Sequence, residues 1–107
     1  MQIDLDIKDD ERCTTLHYAA AMSHTDILMT LLDRDVDIEK KDELNRTSLH
    51  HAAFRGHKDA MMTLLRCDAN IRAKTKIERT ALHFGSFFEN QSDVVTVLIE
   101  SDVEIEA

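Results

Sequence analysis

The chain repeats itself. Leu16-His17 recurs as Leu49-His50 and again as Leu82-His83, each step being 33 residues. Thr14, Thr47 and Thr80 stand two residues before each leucine, and Ala19-Ala20 aligns with Ala52-Ala53 and, in weakened form, with Gly85-Ser86. Leu31-Leu32 and Leu64-Leu65 keep the 33-residue step, whereas Leu98-Ile99 lies 34 residues further on. Asp26, Asp59 and Asp93 show the same offset, as do Ile38, Ile71 and Ile105, so one residue is inserted in the third unit between Gly85 and Asp93. A unit this short cannot bury an apolar face alone. Stacked neighbours bury it together, which restricts the chain to an array.

Each unit reads as two helices and a long excursion. The first helix is expected from Ser48 to Arg55, with counterparts over 15–22 and 81–88, and the repeated threonine sits where it can cap the start. The second is expected over 25–33, 58–66 and 92–100, because Ile27, Leu28, Leu31 and Leu32, then Ala60, Met61, Leu64 and Leu65, then Val94, Val95, Leu98 and Ile99 follow helical spacing. Segments 35–46 and 68–79 are polar, with small apolar anchors at Val36/Ile38 and Ala69/Ile71, and fit an extended hairpin or long loop. The unit boundaries expected are 9–41, 42–74 and 75–107, with 1–8 as the tail of a preceding unit, because Ile3-Asp4-Leu5 matches Val36-Asp37-Ile38. The chain thus resembles a piece of a longer array or a very small one.

Composition narrows the function. Of 107 residues 43% are apolar, enough for a core, and 21 acidic against 13 basic side chains leave a net charge of -8. That balance argues against general nucleic-acid binding, which needs a basic surface. The middle unit, 42–74, is mildly basic at +2 between acidic ends. No apolar run approaches the roughly 18 residues of a membrane span, and MQIDLDIKDD lacks the basic and apolar regions of a signal peptide. Two cysteines, Cys13 and Cys67, make no disulfide framework, so an intracellular setting is expected, cytoplasmic with the nucleus also open. Two glycines and no proline leave several tight turns without their usual residues.

The stretch Arg46-Thr47-Ser48-Leu49-His50-His51-Ala52-Ala53-Phe54-Arg55-Gly56-His57, followed by Leu64-Leu65 and Ala69-Asn70-Ile71, resembles an ankyrin repeat, and the likeness extends from Ile3 to Ile105. The resemblance implies an all-α repeat solenoid, an ankyrin-like stack of helix-turn-helix units with connecting β-hairpin loops. It also implies a local hydrogen-bond network for Thr14/His17, Thr47/His50 and Thr80/His83. The departures are specific. Where the family has proline after the threonine, this chain has Thr15, Ser48 and Ala81. Hairpin glycines become Arg12, Asn45 and Glu78, and helix-end glycines become Asp35, Asp68 and Asp102. The glycine between helices survives as Gly56, with Ser23 and Asn90 elsewhere.

The resemblance implies binding without catalysis. Partners of the family commonly meet the concave side, the exposed face of the inner helices and the hairpin tips. The residues here at such positions are Tyr18 and Met22, His51, Phe54 and Arg55, and Phe84 and Phe88, together with Leu44 and Ile77 at the tips. Ala21 and Phe87 share the helix positions, while Leu16, Ala19 and Ala20 fall on the opposite, core side. Of six histidines, His17, His50 and His83 share one repeated position and His24 and His57 another, leaving His51 as the extra one. Repetition explains five without metal, no compact ligand set accompanies them, and no metal, cofactor or catalytic residue is expected. No nucleotide-binding or hydrolase fingerprint occurs. The function expected is a non-catalytic module that binds a polypeptide. A structural spacer stack and a regulatory segment of a larger enzyme or channel are the alternatives, and the oligomeric state is open.

Overall fold

In the computed structural model, described for residues 9–81 together with Val97 and Ile99, four helices follow in order: α1 Thr15–Ala21, α2 Thr25–Asp33, α3 Ser48–Phe54 and α4 Lys58–Arg66. Their limits fall within one residue of those expected from the spacing. The remaining third-unit helices and the 1–8 segment lie outside the described residues.

The inner helices α1 and α3 start identically. Thr14 (φ -97°, ψ 173°) and Thr47 (φ -90°, ψ 173°) are extended N-caps whose hydroxyls accept from the amides of His17 and His50. The imidazoles reach back: Thr14 N donates to His17 Nδ1 and Thr47 N to His50 Nδ1, both at 2.9 Å. This is a capping box with histidine in place of the usual glutamate. Because Nδ1 accepts an amide, the proton of each ring sits on Nε2. From there His17 donates to the Arg46 carbonyl at 3.0 Å and His50 to the Ala73 carbonyl at 2.8 Å. One side chain therefore caps its own helix and ties that helix to the loop that follows.

The helices end in left-handed residues. Ser23 (φ 56°) and Gly56 (φ 70°) close α1 and α3, and Asp35 (φ 61°) and Asp68 (φ 67°) close α2 and α4. Ser23 N and His24 N donate to the carbonyls of Ala20 and Ala19, and Gly56 N and His57 N to those of Ala53 and Ala52. Asp68 N and Ala69 N do the same to Leu65 and Leu64. These paired bonds satisfy carbonyls that a bare helix end would leave orphaned.

The four helices pack as two layers, α1 on α3 and α2 on α4, with each inner helix against its own outer partner. Ala20, Ala52, Ala53 and Ala60 are fully buried, and their small side chains let the backbones approach. Leu28, Met61 and Leu64 fill the space between layers, with Leu16 and Leu49 beside them. Ile27 differs from its repeat equivalent Ala60: it is exposed, and among the described residues no unit lies beyond it to cover that face.

The connectors depart from the expected β-hairpins. Each makes a tight turn, but no strand forms among the described residues. Asp9 N, Asp42 N and Thr75 N donate across the turn to the carbonyls of Cys13, Arg46 and Arg79. The next amides go to a side chain instead of a neighbouring strand. Asp9 Oδ1 accepts from Glu11 and Cys13, Asp42 Oδ1 from Leu44 and Arg46, and Thr75 Oγ1 from Ile77 and Arg79. Successive turns are joined by single bonds, Glu43 N to Glu11 O at 2.8 Å and Lys76 N to Leu44 O at 3.0 Å. A ladder needs more than one such bond, and the turn side chains take the donors that would supply it.

Candidate functional site

The turns and the inner helices together present the residues expected to meet a partner. On α1, Tyr18 (48% exposed) and Met22 (63%) share one face, four residues apart, opposite buried Leu16, Ala19 and Ala20. On α3 and its cap, Phe54 is 42% exposed and Arg55 also reaches solvent. At the turn tips Leu44 (49%) and Ile77 (71%) point outward, one repeat apart. The Tyr18 hydroxyl donates to Asp9 Oδ2, which fixes the ring to the first turn. That bond, with the amide bonds from Cys13 and Glu11, holds the Asp9 carboxyl below its ordinary value and pushes the Tyr18 phenol up to about 12. Phe84 and Phe88 lie outside the described residues.

His51 goes elsewhere. Its ring is largely buried, Nε2 lies 3.0 Å from Asp42 Oδ2, and its centroid is 5.1 Å from that of His17, edge to face. The Asp42 side chain is wholly buried. Its Oδ2 also meets Arg46 Nε at 2.8 Å and faces Cys13 Sγ at 3.9 Å. Burial alone would raise the Asp42 carboxyl. The Arg46 amide, the His51 ring and the Arg46 guanidinium outweigh it and hold the group ionised below its usual range. Burial drives His51 down to about 4 despite the carboxylate, so the ring is neutral near pH 7 and donates a hydrogen bond in place of forming an ion pair. Burial, with Asp42 and Asp9 nearby, pushes the Cys13 thiol up to about 11.

Tyr18, Met22, Leu44, Phe54, Arg55 and Ile77 are exposed as expected, whereas His51, expected on the same face, turns into an inner cluster that sequence spacing missed. Cys13, Asp42 and His51 place their donor atoms within 4.8 Å of one another, a compact set that spacing did not reveal. One signal was present: Asp9, Asp42 and Thr75 share a repeat position and all carry a side-chain oxygen. Ser48 stands where the family would place proline, and among the described residues its fully buried Oγ has no hydrogen-bond partner.

Comparison with known protein families settles the class. The family model of ankyrin repeats, in three copies, matches residues 16–107. The chain belongs to the ankyrin repeat family. No curated protein matches it. Ankyrin repeat stacks are non-catalytic scaffolds with a general role in protein–protein interaction, and the capped helix pairs described above are the unit from which this one is built. Among the described residues no helix is long and apolar enough to cross a membrane.

Proposed function

We propose that this ankyrin stack binds a polypeptide on its concave side, through the exposed face of the inner helices and the turn tips. The observation that carries the reading is the set of outward apolar side chains on the inner helices, Tyr18 and Met22 on α1 and Phe54 on α3, flanked by Leu44 and Ile77 at equivalent turn positions. Solvent-exposed aromatic and long apolar side chains clustered on one face are the usual anchors of an interface. Arg55 adds a cation that can meet a partner carboxylate. Phe84 and Phe88 would extend the face into the third unit, 75–107, completing the three units bounded at 9, 42 and 75. His51 contributes by holding the turn that presents Leu44. The net charge of -8 favours a protein over a nucleic acid as partner. The exposed free thiol of Cys67 suits a reducing, intracellular setting.

The test is affinity capture with the chain, followed by titration of the captured polypeptide against variants. Phe54→Ala and Phe88→Ala should each weaken binding about tenfold or more, the range of an interface anchor, with the thermal transition preserved. Met29→Ala, at an exposed site on α2, should leave affinity unchanged. Full affinity in both phenylalanine variants with loss in Met29→Ala would place binding on the outer face and refute the reading.

A further inference from the structure

Among the described residues that depart from the repeat, two converge on one carboxylate. Where the second and third units carry Arg46 and Arg79, the first carries Cys13; where the first and third carry Tyr18 and Phe84, the second carries His51. Cys13 Sγ lies 3.9 Å and His51 Nε2 3.0 Å from Asp42 Oδ2, and all three donor atoms fall within 4.8 Å of one another. We propose that Cys13, Asp42 and His51 form a binding site for a divalent transition ion of the zinc class, spanning the first two repeats.

The geometry is near what such an ion requires. Tetrahedral zinc with ligand bonds of about 2.0–2.3 Å separates its donors by roughly 3.3–3.7 Å. Closing the set therefore takes shifts of about an ångström. A thiolate, an imidazole and a carboxylate together suit zinc better than magnesium or calcium, and water would be the fourth ligand beside the His51 ring, whose side chain is 16% exposed. The supporting contacts are in place. Asp42 Oδ1 is held by the amides of Leu44 and Arg46 at 2.9 and 2.8 Å, leaving Oδ2 to face the set, and the Cys13 amide is held by Asp9 Oδ1 at 2.9 Å. His17, although it stacks edge-on against His51, is no ligand, because both its nitrogens are committed to backbone groups.

Binding replaces protons and one cation. The thiol proton leaves to solvent, the His51 proton moves from Nε2 to Nδ1, and Arg46 gives up its 2.8 Å contact with Oδ2. The Arg46 side chain is one-third exposed and can turn outward to water. This competition makes a sharp expectation: removing the arginine should tighten metal binding, whereas removing it from a purely structural cluster would create no new affinity.

Cobalt(II) titration of the full chain under a non-coordinating reductant tests the site. One equivalent should bring a thiolate-to-cobalt charge-transfer band and intense tetrahedral ligand-field bands, both displaced by zinc. Cys13→Ala should abolish the charge-transfer band, Cys67→Ala should keep it, and Arg46→Gln should bind about tenfold more tightly. His51→Phe, which installs the residue found at that place in the third unit, should fold as judged by circular dichroism and bind more than tenfold more weakly. Absence of the band in the parent chain, its survival in Cys13→Ala, or unchanged affinity in folded His51→Phe would each overturn the proposal.

Discussion

Replacing the left-handed non-glycine residues by glycine should stabilise the stack, and the gain should be confined to those positions. Arg12 (φ 64°), Asp35 (φ 61°), Asp68 (φ 67°) and Glu78 (φ 62°) hold a backbone conformation that crowds Cβ against the carbonyl. That conformation costs an ordinary residue about 1–2 kcal/mol, and glycine escapes it. Glycine in turn adds about 0.5–1 kcal/mol of unfolded-chain entropy, leaving a net gain of about 0.5–1 kcal/mol per site. Little is lost with the side chains, all four of which are exposed. Among the described residues the Glu78 side chain has its ion pair with Lys74 at 3.5 Å, a pair so exposed that it adds little. Asp35 and Asp68 also set a negative charge at the carbonyl end of a helix, and removing it is favourable. The sites lie in separate turns, so the quadruple variant should gain about 2–4 kcal/mol.

Urea denaturation followed by far-ultraviolet circular dichroism measures the effect as a higher midpoint with an unchanged slope. The thermal transition should rise by about 4–8 °C for each kcal/mol gained. Two controls fix the cause. Gly56→Ala, at φ 70°, should lose about 1 kcal/mol. Glu43→Gly, in a turn but with no positive φ, should lose about 0.5 kcal/mol. No gain at any of the four sites, or an equal gain from Glu43→Gly, would refute the backbone argument. Asp102→Gly is expected to act in the same sense from the repeat alignment, although that residue lies outside the described residues.

Ser48→Pro should raise stability by about 1 kcal/mol in the same denaturation assay: it removes the unpartnered buried hydroxyl, sits at the first helical position, and follows Thr47 at ψ 173°, which a proline tolerates. Asp42→Ala should cost about 3 kcal/mol, because Arg46, His51 and two turn amides lose their shared acceptor; a cost under about 1 kcal/mol would mean the cluster contributes little to folding. Burial lowers the pKa of His17, His50 and His51 in the folded state, so the unfolded chain binds more protons just below the ordinary imidazole value of 6.5. Stability in chelator should therefore fall as pH drops from 7 to 5, by at most about 1.4 kcal/mol per pH unit for each ring; a urea midpoint that stays level or rises over that window would contradict buried neutral histidines.

What the sequence made legible and what it hid divide along one physical line. Helix limits, caps and left-handed turns depend on a residue and its neighbours within about one turn, so a repeat that recurs in phase displays them three times. That is why Thr14 and Thr47 could be read as caps; the resemblance to ankyrin repeats marked Arg12, Asn45, Glu78, Asp35 and Asp68 as standing where the family has glycine, and all five have positive φ. The outward faces of Tyr18, Met22 and Phe54 followed from helical spacing by the same logic.

The inner cluster obeys a different rule. Cys13 meets Asp42 across 29 residues, His17 meets the Arg46 carbonyl across 29, and the His51 ring turns inward to the same carboxylate at 3.0 Å. The Cys13 and His17 contacts join the first repeat to the second, and Cys13 and His51 depart from the pattern the repeat establishes. An alignment of units against one another averages those departures away as divergence. In a stack with nearest-neighbour coupling, however, a departure in one unit is felt at a single interface. A cysteine in place of arginine and a histidine in place of an aromatic ring are therefore most informative when their partners are sought together. Here both lead to the same buried oxygen of Asp42, where the first two repeats are joined.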